Sequence, residues 1–405
     1  MRTISESELP EFCAAMSVGF LRPVADVQAE ADARRAAMFW DRTWAGFDGA
    51  KMVSTLRAFP VELTVPGGAT LPTSAVTAVT TTATHRRRGL ASRMMIAELQ
   101  TAKARGERAA VLHASEWPIY GRFGYGPATQ ACTLIVDAGV ARLRTPAAGT
   151  AELVDRDTAR GLLPAVYEAH RVKHPGEISR SDRFFDIDLG IVRYPSWGEL
   201  KPGFQVVVRD PAGDVVGMAR YEVEDNWENS RPRNVAKASL FLTTNAVGNA
   251  LLWQYLLGLD LVTQVEVESC SVDDPLPFLL SDGRHVRQRD SADSLWLRLL
   301  DVPAALAARR YLTSGRLVLE VVDRLGFAGG QFAVEGGPER ASCSDTGASP
   351  DLTMDIATLG AAYLGGHTFG TLHAAGLVHE HKAGGVRLAD AMFRSETPPL
   401  CTTGF

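Results

Sequence analysis

The sequence predicts a mixed α+β chain built from three modules in tandem, and three observations carry that expectation. The chain has 405 residues, and at roughly 150 residues per domain this makes two or three units rather than one. Stretches rich in β-branched residues alternate with stretches whose apolar positions recur every three or four residues, so strands and helices are mixed along the chain. No segment repeats at a period of about 20 to 50 residues, which removes solenoids and propellers. Hydrophobic residues make up 46% and charged residues 22%, the balance of a globular chain that can bury large cores. Forty-two Lys and Arg against 47 Asp and Glu leave a formal net charge of −5. With no strongly basic half, binding of nucleic acid is not expected, and any anion site must be local.

Taken in order, the first clear element is Ser74 to Thr82, whose valines and threonines fit a pleated surface and predict a strand. From Leu90 the residues Ala91, Met94, Met95, Leu99 and Ala102 recur at spacings of three and four. That is one face of an amphipathic helix, which Gly106 can end in left-handed geometry. Ala109 to Ala114 reads as the next strand. A boundary falls at the Pro-, Ala- and Gly-containing run Thr145 to Thr150. Beyond it, Phe204 to Val208 and Val215 to Tyr221 flank the turn Asp210-Pro211-Ala212-Gly213-Asp214 and predict a hairpin. Ala250 to Leu259 reads as a helix, Gln264 to Glu268 as a strand, and Leu295 to Leu300 as a strand that closes the second unit. Val302-Pro303 opens a helix with proline in its first turn and begins the third unit. There Arg316 to Val322 alternates as a strand, and helices are expected to dominate from Leu352 onward.

The N-terminal run MRTISESELPEF has no apolar segment of signal-peptide length, and no later stretch approaches 18 apolar residues, so neither secretion nor a membrane span is expected. Cys13, Cys132, Cys270, Cys343 and Cys401 are odd in number and contain no CxxC pair. They read as buried, reduced thiols of a cytoplasmic protein.

The chemistry concentrates between the strand and the helix, at His85-Arg86-Arg87-Arg88-Gly89. The first N–H groups of a helix lack intrahelical partners and sit at the positive end of its dipole, so a strand, an arginine and glycine turn and a helix form a phosphate cradle. Gly89 lets the backbone approach a pyrophosphate, and the arginines add forked donors. A solvated charge run is the plainer reading of three arginines in isolation, and His85 reads as a packing or capping residue. Neither GxxxxGK[ST] nor GxGxxG occurs, so nucleotide triphosphate and dinucleotide sites lack their usual motif.

Arg86-Arg87-Arg88-Gly89-Leu90-Ala91 resembles the RxxGxA/G acyl-CoA loop of GCN5-related N-acetyltransferases. Ser115-Glu116-Trp117-Pro118-Ile119-Tyr120-Gly121-Arg122-Phe123-Gly124-Tyr125-Gly126 is similar to that superfamily's following helix and YxxFGY/F turn. With Asp301-Val302-Pro303-Ala304-Ala305-Leu306-Ala307-Ala308-Arg309 and Leu359-Gly360-Ala361-Ala362-Tyr363-Leu364-Gly365-Gly366-His367, the chain resembles the Eis (enhanced intracellular survival) acetyltransferases over nearly its whole length. The resemblance implies two tandem GNAT-like domains of mixed sheets followed by a sterol-carrier-protein-like domain. Residues 1–148 would be catalytic, residues 149–297 a second such domain without a cofactor loop, and residues 298–405 the third domain. It also implies acetyl-CoA as co-substrate, no metal, a homohexamer, and a primary amine of a small molecule or peptide as acceptor.

By the same resemblance, cofactor contacts fall on Val79, Thr80 and Thr81 of a splayed strand, on Arg87, Arg88, Gly89, Leu90, Ala91 and Ser92, and on Ser115 and Glu116. The general acid falls on Tyr120 and the general base on the C-terminal carboxylate of Phe405. A phenol with a pKa near 10 can protonate a departing thiolate held within hydrogen-bond reach. From composition alone Tyr125 is an equal rival, and a core aromatic is the plainer reading of either. A terminal carboxylate with a pKa near 3.5 is a weak base for an amine near 10.4, so the amine needs desolvation, a neighbouring charge or a relaying water.

Four positions depart from the family pattern. Gly404 stands where aminoglycoside-modifying members have an acidic residue, Arg22 stands at another acidic position of that pocket, and Thr81 and Ala83 replace a common valine and proline. The first two disfavour polycationic acceptors. His379-Glu380-His381 lacks the i, i+4 histidine pair of a helical metal site, and no GxSxG elbow occurs. A catalytically inactive acyl-CoA or lipid carrier is the competing class, opposed by the retention of Tyr120 and Phe405.

Overall fold

The computed structural model describes residues 1–198 and 201–405. Among the described residues it contains two seven-stranded sheets and one five-stranded sheet, each flanked by helices, and a two-stranded ribbon of Trp227–Glu228 and Arg231–Pro232. The first sheet runs in the order Arg2–Thr3, Thr43–Asp48, Lys51–Thr64, Thr70–Thr81, Ala109–His113, Leu295–Leu299, Gly126–Pro127. The second runs Val286–Asp293, Gln130–Val136, Val262–Cys270, Asn234–Thr243, Val215–Glu224, Phe204–Arg209, Thr150–Val154. The third unit carries Ala341–Asp345, Gly330–Gly336, Gly315–Val322, Leu352–Asp355 and Val378–Glu380. Among the described residues no helix is long and apolar enough to cross a membrane.

The first two sheets exchange strands. Leu295–Leu299, read from sequence as the close of the second unit, enters the first sheet instead, antiparallel to Ala109–His113 over five residues. Its five side chains are all buried, the pattern of a strand covered on both faces, and only the middle of a sheet offers that. Reciprocally, Gln130–Val136 leaves the first unit and sits between Val262–Cys270 and Val286–Asp293 of the second. A boundary at 148/149 therefore leaves Gln130–Val136 with the first unit, and one at 297/298 falls inside strand Leu295–Leu299.

Local signals hold where they were strong. The hairpin forms from Phe204–Arg209 and Val215–Glu224, with Gly213 at φ 93 in its turn. Helix Val302–Ala308 has Pro303 in its first turn, and the Asp301 carboxylate accepts the Ala304 N–H at 3.0 Å. Helix Ala246–Leu257 begins four residues before the expected Ala250, because the Asn245 side chain caps it. From Leu352 three helices, Ile356–Tyr363, Phe369–Ala374 and Gly385–Phe393, outweigh the two short strands Leu352–Asp355 and Val378–Glu380, so helices dominate there as expected. All five cysteines are free thiols; four are buried and Cys343 is half-buried.

The third unit shares its core with the first sheet: Leu63, Val111 and Leu297 pack in one apolar cluster with Leu319, Leu359 and Phe393. A Cβ on Gly360 would stand 2.3 Å from the Leu297 carbonyl oxygen, so helix Ile356–Tyr363 approaches the exchanged strand closely only because that position is glycine. The same strand carries Arg298, which is fully buried and pairs at 2.6 Å with Asp323 of the third unit. It also donates to the Phe123 carbonyl, just after Tyr120. Asp323 accepts further N–H bonds from Leu325, Phe327 and Ala328. Breaking one partner of a buried pair leaves a bare charge, at a cost of about 3–5 kcal/mol. Arg298→Met should lose stability on that scale in denaturant unfolding, and the added Asp323→Asn change should recover part of it.

Candidate active site

The strand Thr70–Thr81 pairs along its length with Lys51–Thr64, but with Ala109–His113 at only Thr73, Ser74 and Ala75. Beyond Ala75 the two parallel strands splay, leaving the edge from Val76 to Thr81 open toward the gap. A bulge sharpens the divergence: Ala78 sits at φ 54, so Thr55 faces Thr80 while Arg57 faces Thr77. Hydroxyls hold it in place. The Thr55 hydroxyl donates to the Ala78 carbonyl at 2.8 Å and the Ser54 hydroxyl to the Thr80 carbonyl at 2.6 Å. Thr81, one of the departures, shares a 2.8 Å hydrogen bond with Ser54, which gives a hydroxyl a purpose at that position.

Helix Leu90–Ala104 starts at the mouth of the gap. Gly89 precedes it at φ 75, no side chain caps it, and an added Cβ there would meet nothing within 4 Å. The first N–H groups, from Leu90 to Ser92, thus lack intrahelical partners and open toward solvent. Arg87 also lies at positive φ, 63, and left-handed residues in such a loop bunch N–H groups into an anion-binding concavity. Arg86, Arg87 and Arg88 are exposed. Arg86 approaches Glu116 at 3.8 Å and Arg88 approaches Asp48 at 3.8 Å, so the arginine loop and the Ser115-Glu116 loop meet across the mouth. His85 is a bracing residue, hydrogen-bonded to Thr84 at 2.8 Å and Asp48 at 2.9 Å. Open edge, uncapped helix start and exposed guanidinium groups together fit a pantetheine arm and its pyrophosphate.

The two tyrosines separate cleanly. Tyr120 ends helix Trp117–Tyr120 and packs in one cluster with Val76, Val79 and Ala114, the inner walls of the splay. Burial raises its pKa, while the Ser115 hydroxyl pulls the other way, so it is a protonated phenol at neutral pH. Tyr125 is fully buried, its hydroxyl has no hydrogen-bond partner, and burial pushes its pKa far up. It is the core residue of the pair.

The chain end is fastened rather than frayed. The Thr402 N–H donates to Glu177 at 2.9 Å, its hydroxyl to the same oxygen at 2.6 Å, and Arg180 donates to both Thr402 and Thr403. The Thr403 carbonyl meets His113 Nε2 at 2.9 Å. The Phe405 ring packs edge-on against Phe59 at 5.4 Å and against His113 at 4.7 Å. It borders a cavity of about 680 Å³ that also reaches Thr77 and Ala78 of the bulge. Five arginines line that cavity: Arg22, Arg34, Arg57, Arg180 and Arg183.

Comparison with known proteins now bears on this arrangement. Families described as Acetyltransferase (GNAT) domain match residues 1–128 and 176–299, and one described as Sterol carrier protein domain matches 302–402. An uncharacterized N-acetyltransferase of Streptomyces avermitilis is 39% identical over all of this chain and 98% of its own. N-acetyltransferase Eis of Mycobacterium tuberculosis is 37% identical over 86% of this chain and 85% of its own. The chain belongs to the Eis family of GCN5-related N-acetyltransferases. The crystal structure of Eis1 from Mycobacterium abscessus agrees, superposing with TM-score 0.87 at 31% identity over 100% of this chain and 99% of that one. As a family member it is an N-acetyltransferase, of a class that uses acetyl-CoA, with two GNAT domains and a sterol-carrier-like domain.

Sequence reasoning missed Glu177, the buried anchor of an Eis-family chain end. No local pattern marks it, since Thr402, the tail residue it anchors, lies 225 residues away. Burial alone would raise its pKa, but His170, Arg180 and Thr402 more than offset that and hold it at about 2, below its ordinary 4.5. His170 stands 3.6 Å away, at ion-pair rather than hydrogen-bond distance. A lowered carboxyl pKa contributes stability that is full above 4.5 and lost as pH falls through about 2. Glu177→Gln should therefore be less stable than the parent at pH 7, with the difference shrinking steadily below pH 4.5 in thermal unfolding curves.

Proposed function

We propose that this chain transfers an acetyl group from acetyl-CoA directly to a primary amine of a small molecule or peptide, in a ternary complex. The observation that carries the reading is the meeting of a fastened chain terminus with the bulge of a splayed strand at one cavity. Acetyl-CoA supplies an activated acyl thioester. The backbone of Val79, Thr80 and Thr81 aligns the pantetheine arm along the open edge. Arg87, Arg88, Gly89 and the N–H groups of Leu90, Ala91 and Ser92 hold the pyrophosphate, with Ser115 and Glu116 closing the mouth. The α-carboxylate of Phe405 orients the ammonium and takes its proton, directly or through water, and Tyr120 protonates the departing thiolate.

Family resemblance alone supports a homohexamer in the cytoplasm, which light scattering behind a sizing column checks for assembly. Thiol release from acetyl-CoA with a panel of primary amines tests the reaction itself. Within it, Gly89→Asp should weaken acetyl-CoA binding at least tenfold by calorimetry. The added side chain projects into open space, so the fold loses only about 1 kcal/mol from a non-glycine residue at positive φ. Unchanged affinity in a folded Gly89→Asp protein removes the pyrophosphate role from this loop.

A further inference from the structure

The charges of the cavity beside Phe405 are unequally committed. Glu30 is fully buried, pairs with Arg34 at 2.6 Å and accepts the Ser196 N–H at 2.9 Å. Asp188 pairs with Arg180 at 2.7 Å. Arg183 donates to the Ala33 carbonyl and to the Tyr194 hydroxyl. Neither side-chain carboxylate is free to receive a polycation. Arg57 is the contrasting case: among the described residues no carboxylate lies within ion-pair distance of it, and its Nε has no hydrogen-bond partner. Its guanidinium lies 5.2 Å from the Phe59 ring, which in turn meets Phe405.

Arg57 also sits opposite the bulge, facing Thr77, and lines the same cavity as Phe405. Burial, with Arg34 and Arg183 close by, lowers its pKa to about 10, as expected of a cation short of counter-charge. A guanidinium with no carboxylate partner among the described residues, in a cavity that also offers Phe39, Phe59, Phe184 and Trp197, matches one ligand chemistry, a carboxylate on an apolar or aromatic body.

We propose that Arg57 is the carboxylate seat of the acceptor site, so that the preferred acceptors are amines carrying a carboxylate on an aromatic body rather than polyamines. This rests on the acetyl-transfer reading above. The probes are 4-(2-aminoethyl)benzoate, its neutral amide, and spermidine, with thiol release as the readout. In the parent enzyme kcat/KM for the benzoate should exceed that for the amide by about tenfold or more, the scale of one charge-assisted hydrogen bond, and spermidine should be the poorest. Arg57→Gln should collapse the benzoate-to-amide ratio to near one. A ratio near one in the parent, a preference for spermidine, or an undiminished ratio in Arg57→Gln overturns the proposal while leaving acetyl transfer intact. Absence of thiol release with every amine overturns the transferase reading instead. Binding of the amine-free probe 4-methylbenzoate by calorimetry then decides the seat: weakening of tenfold or more in Arg57→Gln supports it, and equal or undetectable binding in the parent overturns it.

Discussion

Deletion of Phe405, or a short C-terminal tag, should abolish acetyl transfer while fold and acetyl-CoA binding survive. The anchors of the tail lie upstream, at Thr402 and Thr403, so the chain still docks through Glu177, Arg180 and His113 when the last residue is lost. What changes is the position of the carboxylate. Each residue step along the chain is about 3.3 to 3.6 Å, far outside the tolerance of a proton transfer whose partners must lie within hydrogen-bond reach. Loss of a positioned base costs typically 10²- to 10⁴-fold in rate. Phe405→Ala separates the two parts of the residue: it keeps the terminal carboxylate in register but removes the ring from Phe59 and His113, so it should retain more activity than the deletion. A tagged enzyme with full turnover on its best amine would leave the carboxylate no part in the reaction.

The difference between what the sequence disclosed and what it withheld follows from contact distance. Strand Thr70–Thr81, the loop to Gly89 and helix Leu90–Ala104 are consecutive, and their patterns of β-branched residues, glycine and period-3.6 apolar positions locate strand, turn and helix in order, with the strand starting four residues before the expected Ser74. Proline at Val302-Pro303 and glycine in the 210–214 turn behaved likewise, because backbone restrictions act locally. Leu295–Leu299 did not. Its run of Leu, Trp and Leu says that it is buried on both faces but nothing about which sheet buries it, and the choice is made by a partner some 186 residues earlier. Arg298, Glu177 and Arg57 were silent for the same reason: an arginine or glutamate in sequence reads as surface until the fold buries it. Phe405 is the inverse case. Nothing local distinguishes it from a frayed end, and only the family resemblance pointed to it before the ring was found packed.

Replacing each tyrosine of the IYGRFGY turn by phenylalanine should give opposite outcomes from the same chemical change. Tyr120→Phe removes a phenol that burial keeps protonated and that sits on the wall of the splay, beside Val79. If that hydroxyl hands its proton to the departing thiolate, kcat should fall by about 10²-fold or more, with acetyl-CoA affinity retained, because the proposed cofactor contacts lie at other residues. Tyr125→Phe removes a hydroxyl that is fully buried and unpartnered. An unsatisfied buried polar group costs roughly 1–3 kcal/mol, so its deletion should leave kcat within about twofold and hold or raise stability. The ring itself stays, keeping its edge-to-face packing with Tyr120 at 6.3 Å. Steady-state kinetics and thermal unfolding on the same two proteins therefore read the assignment twice. A large kcat loss in Tyr125→Phe together with a silent Tyr120→Phe would transfer the acid to the buried ring and require the turn to open during turnover.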